Sequence, residues 1–137
     1  MSLKEFLSEN DHFAADNGCK LIEIREGFAV AVMTVVQKHI NGGGVCQGGA
    51  LFTLADLALA AVMNSHGNLT LGVESTITFM KSANLGDKLT AEATEIKNHH
   101  KLPYAEVKIY NQNHELLCAF TGIGYRKEAK MSFDGLM

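Results

Sequence analysis

Apolar and polar positions along this chain follow a period of two nearly everywhere, and one long stretch does not. From Cys19 to Arg25 leucine and isoleucine alternate with charged residues, and beyond Glu26 and Gly27 the run Phe28 to Val36 is β-branched and small apolar. The pair predicts a β-hairpin. Leu69 to Met80 sets Ser75, Ile77 and Phe79 against Thr76, Thr78 and Met80, which predicts a further strand. Past a turn at Ser82 to Gly86, three more strands are predicted over Lys88 to Lys97, Leu102 to Asn111 and Glu115 to Arg126. The breaks at Asn98 to Lys101 and Asn111 to His114 are short enough for hairpins, so these three form an antiparallel meander. In its middle strand Ala105, Val107 and Ile109 oppose Glu106 and Lys108, leaving one face wet, while Leu116 to Phe120 is apolar throughout and belongs centrally. Residues 2 to 9 predict a short helix with Leu3, Phe6 and Leu7 on one side, a lid or an edge cover. Asp11 to Gly18 reads as a polar connection and the tail after Arg126 as loose.

The exception to the alternation begins at Asn41. Residues 41 to 49 form a glycine-rich loop, and Ala50 to Met63 follows without a break as a helix of good helix formers, apolar on nearly every side. Such a helix must be wrapped by the rest of the chain. Six strands can enclose it only if the sheet curls about it, which makes the fold class α+β. A single concave sheet leaves strand edges unpaired, and joining the sheets of two copies removes them, so a dimer is expected.

One charge interrupts the helix. Asp56 shares its face with Phe52, Thr53, Leu59 and Ala60, so it stands on no polar stripe. Taking a lone carboxylate out of water costs several kcal/mol, roughly, unless something satisfies or uses it. Asp56 is therefore either a residue solvated through an opening or a general base or nucleophile. It sits about two turns from a helix start whose free N–H groups can hold an oxyanion, and that pairing suits acyl transfer.

Composition narrows the possibilities. The 137 residues are long enough for one domain, taken as residues 1–137, with one core. A net charge of -3 with scattered lysines and arginines gives neither a basic stripe for nucleic acid nor a basic amphipathic helix for a membrane surface. The apolar run from Gly48 to Met63 is too short to span a bilayer and carries Asp56 near its centre. An acidic N-terminus unlike a signal peptide points to the cytoplasm. Cys19, Cys46 and Cys118 are odd in number and lack CxxC spacing, which argues for reduced thiols. The six histidines fall mostly in turns without zinc-ligand spacing and read as surface residues.

Asn41, Gly44, Gln47-Gly48-Gly49, the run Leu51 to Asp56, and Ser75, Ile77, Thr78 and Phe79 on the next strand together resemble the hotdog-fold acyl-CoA thioesterases of the PaaI-like, phenylacetate-pathway type. The likeness covers about residues 13 to 126. It implies a hotdog fold, a curved antiparallel sheet around one long helix, and hydrolysis of an acyl-CoA thioester to free acid and CoA without metal or cofactor. By the same resemblance Asp56 attacks the thioester carbon or activates water, Gly48 offers its backbone N–H to the carbonyl oxygen, and Asn41 holds the water or the substrate. Gly49, Phe52, Ser75 and Phe79 are expected to touch the substrate. The family's sites lie across a subunit interface, so a homodimer is implied, and with it a dimer of dimers. One departure is plain: the family usually has histidine before the two glycines, and this chain has Gln47. Glutamine can donate and accept hydrogen bonds but cannot titrate, so it is assigned a positioning role.

Rival readings follow from the same residues. A Cys46 nucleophile at the helix N-terminus lacks a nearby histidine apart from His39. Gly42 to Gly44 lack the lysine and hydroxyl residue of a phosphate-binding loop. An acyl-thioester dehydratase needs a histidine and acid pair that the helix start does not supply. A non-catalytic acyl-CoA binding module differs from the hydrolase only in whether thiol is released.

Overall fold

The computed structural model describes residues 1–137. Two short helices, α1 (Leu3–Asn10) and α2 (His12–Asp16), precede the hairpin β1 (Lys20–Arg25) and β2 (Phe28–Thr34). The long helix α3 (Gly48–Asn64) follows, then β3 (Asn68–Phe79), β4 (Lys88–Lys97), β5 (Tyr104–Tyr110) and β6 (Leu116–Lys130). All six strands pair antiparallel in one sheet, in the order β1-β2-β4-β5-β6-β3. The predicted hairpin and meander are both present, and β3 returns after α3 to pair along the far side of β6.

Small side chains explain how the sheet closes on the helix. The face of the sheet turned to α3 carries Ala29 and Ala31 on β2, Ala91 and Ala93 on β4 and Ala105 on β5, all buried. On β6 even alanine would be too large. A Cβ on Gly122 would come within 2.5 Å of Leu59, and one on Gly124 within 2.7 Å of Met63. Leu54, Leu59 and Val62 of α3 fill the space so left, alongside Val107, Ile109 and Phe120 from the sheet. Each such side chain fully removed from water contributes about 1.5–3 kcal/mol.

Three expectations are corrected. Asp11 to Gly18 is not a plain connection: Asp11 caps α2, its Oδ1 accepting from the Ala14 amide at 3.1 Å, so one turn of helix forms where a polar linker was read. Nor is the tail loose. β6 runs on to Lys130, the Met131 amide donates to Gly67, and the carbonyls of Gly135 and Leu136 accept from the Leu3 and Lys4 amides at 3.0 Å each. Those two amides open α1 and have no partner inside the helix, so the tail caps it. Finally, His39 is no surface residue. It is 3% exposed; its Nδ1 accepts from the Val36 amide and its Nε2–H donates to the Asn17 carbonyl at 2.7 Å, tying the loop before α3 to the N-terminal segment.

Candidate active site

Local hydrogen bonds build the entry to α3 one group at a time. The Asn41 carboxamide oxygen accepts from the Gly43 and Val45 amides at 2.9 and 3.2 Å, while the Asn41 carbonyl accepts from Gly44, whose φ of 83° favours glycine. The loop is thereby closed on itself. Next, the Cys46 amide donates to Ala83 and the Gln47 amide to His39. Gln47 is the N-cap: its side-chain oxygen accepts from the Gly49 amide, and its carbonyl accepts from Ala50 and Leu51. The Gly48 amide, the first of the helix, donates to nothing within the chain. It points out from the positive end of a 17-residue helix, a position suited to a developing oxyanion.

Phe79, at the end of β3, covers this place. A Cβ on Gly48 would meet the tip of its ring at 2.9 Å, so glycine here lets the ring come close to the backbone. Asn41, Gly48 and Phe79 share one cavity of about 300 Å³ with Cys46, Leu51 and Met80. With both lone-pair directions of its oxygen engaged in the loop, Asn41 has its NH₂ left to offer a ligand. Gln47 and Gly49 instead border a second opening, of about 290 Å³, beside Phe13, Lys38 and Thr53.

Asp56 lies in neither. Its carboxylate lines a third cavity, of about 320 Å³, with Leu7, Leu59, Ala60, Met63 and Leu71 among its neighbours, and forms no hydrogen bond or ion pair within the chain. Although the carboxylate reaches solvent, the surrounding protein desolvates it and raises its pKa above the ordinary carboxylate value, and the negative charge of Asp11 adds to the rise. Asp11 was not singled out from the sequence, because only folding brings it near Asp56.

The remaining candidates divide. Ser75 is on the helix-facing side of β3, its Oγ 3.3 Å from where a Cβ on Gly122 would stand, next to Leu59. Phe52 packs edge-on against Phe120, ring centroids 5.1 Å apart, and lines none of the three openings. The Cys46 thiol is pushed up to about 11 by burial, which leaves almost no thiolate near neutral pH. No three His, Cys, Asp or Glu side chains stand together as metal ligands would.

The curled sheet around one long helix has counterparts in known proteins. Residues 43–118 match the family model of the thioesterase superfamily. The chain belongs to that superfamily. Acyl-coenzyme A thioesterase PaaI of Escherichia coli K12 is 37% identical over 118 residues, 86% of this chain and 84% of that protein. Its structure superposes with a TM-score of 0.87 at 33% identity, covering 96% of this chain and all of the other. An Archaeoglobus fulgidus protein is 38% identical over 124 residues, 90% of this chain and 80% of its own length. A hypothetical thioesterase protein of Streptococcus pneumoniae, in a structure with coenzyme A, gives a TM-score of 0.83 at 26% identity over 91% of this chain and 99% of that one. The resemblance to PaaI-like hotdog thioesterases therefore stands, and thioester hydrolysis is the activity.

Proposed function

We propose that this chain hydrolyses acyl-CoA thioesters at sites shared between two copies of itself, with Gly48 of one copy and Asp56 of the other acting on the same carbonyl. The observation that carries the reading is the pairing of one unbonded amide at the α3 N-terminus with one unpaired carboxylate on the same helix. Eight residues separate them, about 12 Å of helix rise. An oxyanion donor and a base serving one carbon through a single water must each lie within about 3 Å of the reacting atoms. Within one chain the two are too far apart.

A two-fold partner closes that gap. β3 is an edge strand of 12 residues with Leu71 and Val73 exposed, the kind of edge that a second copy covers. Pairing β3 with its symmetry mate sets the two α3 helices side by side, so that the start of each can face the middle of the other. Two such dimers back to back would make a tetramer.

In this arrangement the thioester carbonyl oxygen accepts from the Gly48 N–H, and the Asn41 NH₂ steadies the water or the substrate. As general base, Asp56 takes a proton from water while the hydroxide oxygen bonds to the carbonyl carbon; as nucleophile, its own oxygen would bond there first. The raised pKa favours the base role. The oxyanion collapses, the C–S bond breaks, and the proton held by Asp56 passes to the departing sulfur. An ordinary thiol has a pKa of about 8.5, so the thiolate leaves with little assistance, and Gln47 need only cap the helix.

CoA as the carrier is supported by the S. pneumoniae relative in complex with coenzyme A and by the activity in PaaI's name. PaaI's description as a protein of the phenylacetic acid degradation operon makes phenylacetyl-CoA the first acyl group to try. No helix is long and apolar enough to cross a membrane, and three free buried cysteines suit the reducing cytoplasm.

The activity is tested by following thiol release from a panel of acyl-CoAs; binding without release would leave a binding module instead. The shared site is tested by co-expressing Asn41→Ala with Asp56→Ala. In a mixed dimer one site carries both lesions and the other none, so random mixing should restore about a quarter of wild-type activity if sites act independently. Activity no higher than the mean of the separate variants, with mixed dimers present, would put each site within one chain.

A further inference from the structure

The cavity beside Asp56 has a second feature: both ends of the chain contribute to its lining. Its lining follows α3 past Leu59, Ala60 and Met63 and is completed by Phe6 and Leu7 of α1 and Met131 of the tail. We propose that Phe6, Leu7 and Met131 form the end wall of the acyl pocket and set the largest acyl group that the enzyme accepts. The inference rests on the hydrolase reading given above.

Three observations carry it. Asp56 is the only charged residue lining this cavity, so an acyl group entering past the carboxylate meets an apolar channel. The polar groups at its inner end are already engaged: the Asn64 NH₂ donates to the Ala60 and Thr70 carbonyls, its oxygen accepts from the Thr70 amide, and the Thr70 hydroxyl donates to Asn68. A carboxylate on the acyl group would find no free side-chain donor there and would face the Asp56 charge, which selects against acidic acyl groups. Moreover, the wall is braced. The Leu3 and Lys4 amides bond the tail at Gly135 and Leu136, Asp134 pairs with the N-terminal ammonium at 3.2 Å, and the Met131 amide bonds Gly67 at 2.8 Å. Phe6 and Met131 thus come from opposite ends of the sequence and line one cavity.

Size follows from volume. The cavity's volume of about 320 Å³ falls within the range of small-ligand pockets, about 300–1,000 Å³, so it suits an acyl group and leaves little room for a very long one.

The test compares wild type with Phe6→Ala, Met131→Ala and their combination across straight-chain acyl-CoAs from two to fourteen carbons and phenylacetyl-CoA. Phe6 is 37% exposed, so its loss should leave the fold intact, which melting curves check. The expected result is an optimum displaced to longer chains, with kcat/KM rising about fourfold for each further methylene accommodated, read against each variant's own two-carbon rate. Phe6→Trp should do the reverse. Because the chain contains no tryptophan, that variant also reports occupancy: a non-hydrolysable acyl-CoA thioether should change its emission increasingly with chain length. An unaltered length profile in folded variants, with wild type active, overturns the wall and leaves the hydrolase reading in place. Wild type that releases no thiol overturns the hydrolase reading; the wall is then decided by the Phe6→Trp titration alone, and flat emission overturns it.

Discussion

The start and the middle of α3 solve opposite problems. At the start Asn41 and Gln47 spend their side-chain oxygens on loop and cap amides, and the Gly48 N–H at the helix mouth is left over. In the middle Asp56 has no partner within the chain and only solvent to meet it, and partial desolvation with the nearby Asp11 makes its ionised form less favourable. Order at one place aims a weak donor, and discomfort at the other keeps a carboxylate basic. A helix can carry both because its dipole and its capping chemistry act only near its ends.

The contrast is broken most severely by removing the carboxylate. Asp56→Asn should lower kcat by about 10²–10⁴-fold while changing KM little. It should also raise the melting temperature at neutral pH. A carboxyl whose pKa is raised by folding contributes stability below its unfolded pKa and loses it as pH climbs through the folded value, so at neutral pH the ionised Asp56 is a burden that asparagine lifts. An unchanged kcat in the folded variant would remove Asp56 from the chemistry.

Next in size is the loss of the free donor. Gln47 has the extended backbone, φ -63° and ψ 135°, that a following proline requires, and proline is accepted at the first position of a helix. Gly48→Pro should therefore keep α3 and delete the N–H, costing about 10²–10³-fold in kcat. Gly48→Ala makes the same demand on Phe79 but keeps the donor, so it serves as the steric control. Equal losses in the two would mean that the Phe79 contact matters and the N–H does not.

Gln47→Ala tests the cap. It should cost about 1 kcal/mol of stability, read by denaturant unfolding, together with a moderate loss of activity. Gln47→His retains an acceptor for the Gly49 amide and should recover the activity that alanine loses. Complete inactivity of the histidine variant would show that the loop depends on the amide itself.

The smallest effect sharpens the other side. Since Asp11 helps to raise the pKa of Asp56, Asp11→Asn should move the acid limb of kcat/KM to lower pH, with the plateau kept. Asn can still cap α2, so the change isolates charge. A limb that stays in place would leave burial as the sole cause.

Hydrophobic rhythm fixed the strands within a few residues because alternation is a local property of a half-buried sheet, and the apolar run after Gly48 could only be a helix enclosed by it. Asn41, Gln47 and Gly48 were legible for the same reason: loop turns, caps and free amides are set by neighbours in the sequence. Asp56 stood out as a charge on an apolar helix, although what surrounds it did not. Distant parts of the chain supply Asp11, Phe6 and Met131, and local pattern carries no trace of such meetings. The tail shows the same limit, since Met131, Phe133 and Leu136 pack on the core only because α1 offers unbonded amides to the backbone beside them. Sequence alone determined the fold and the chemistry of each group, whereas folding decided which groups share a cavity, because proximity across the chain depends on how the sheet curls around α3.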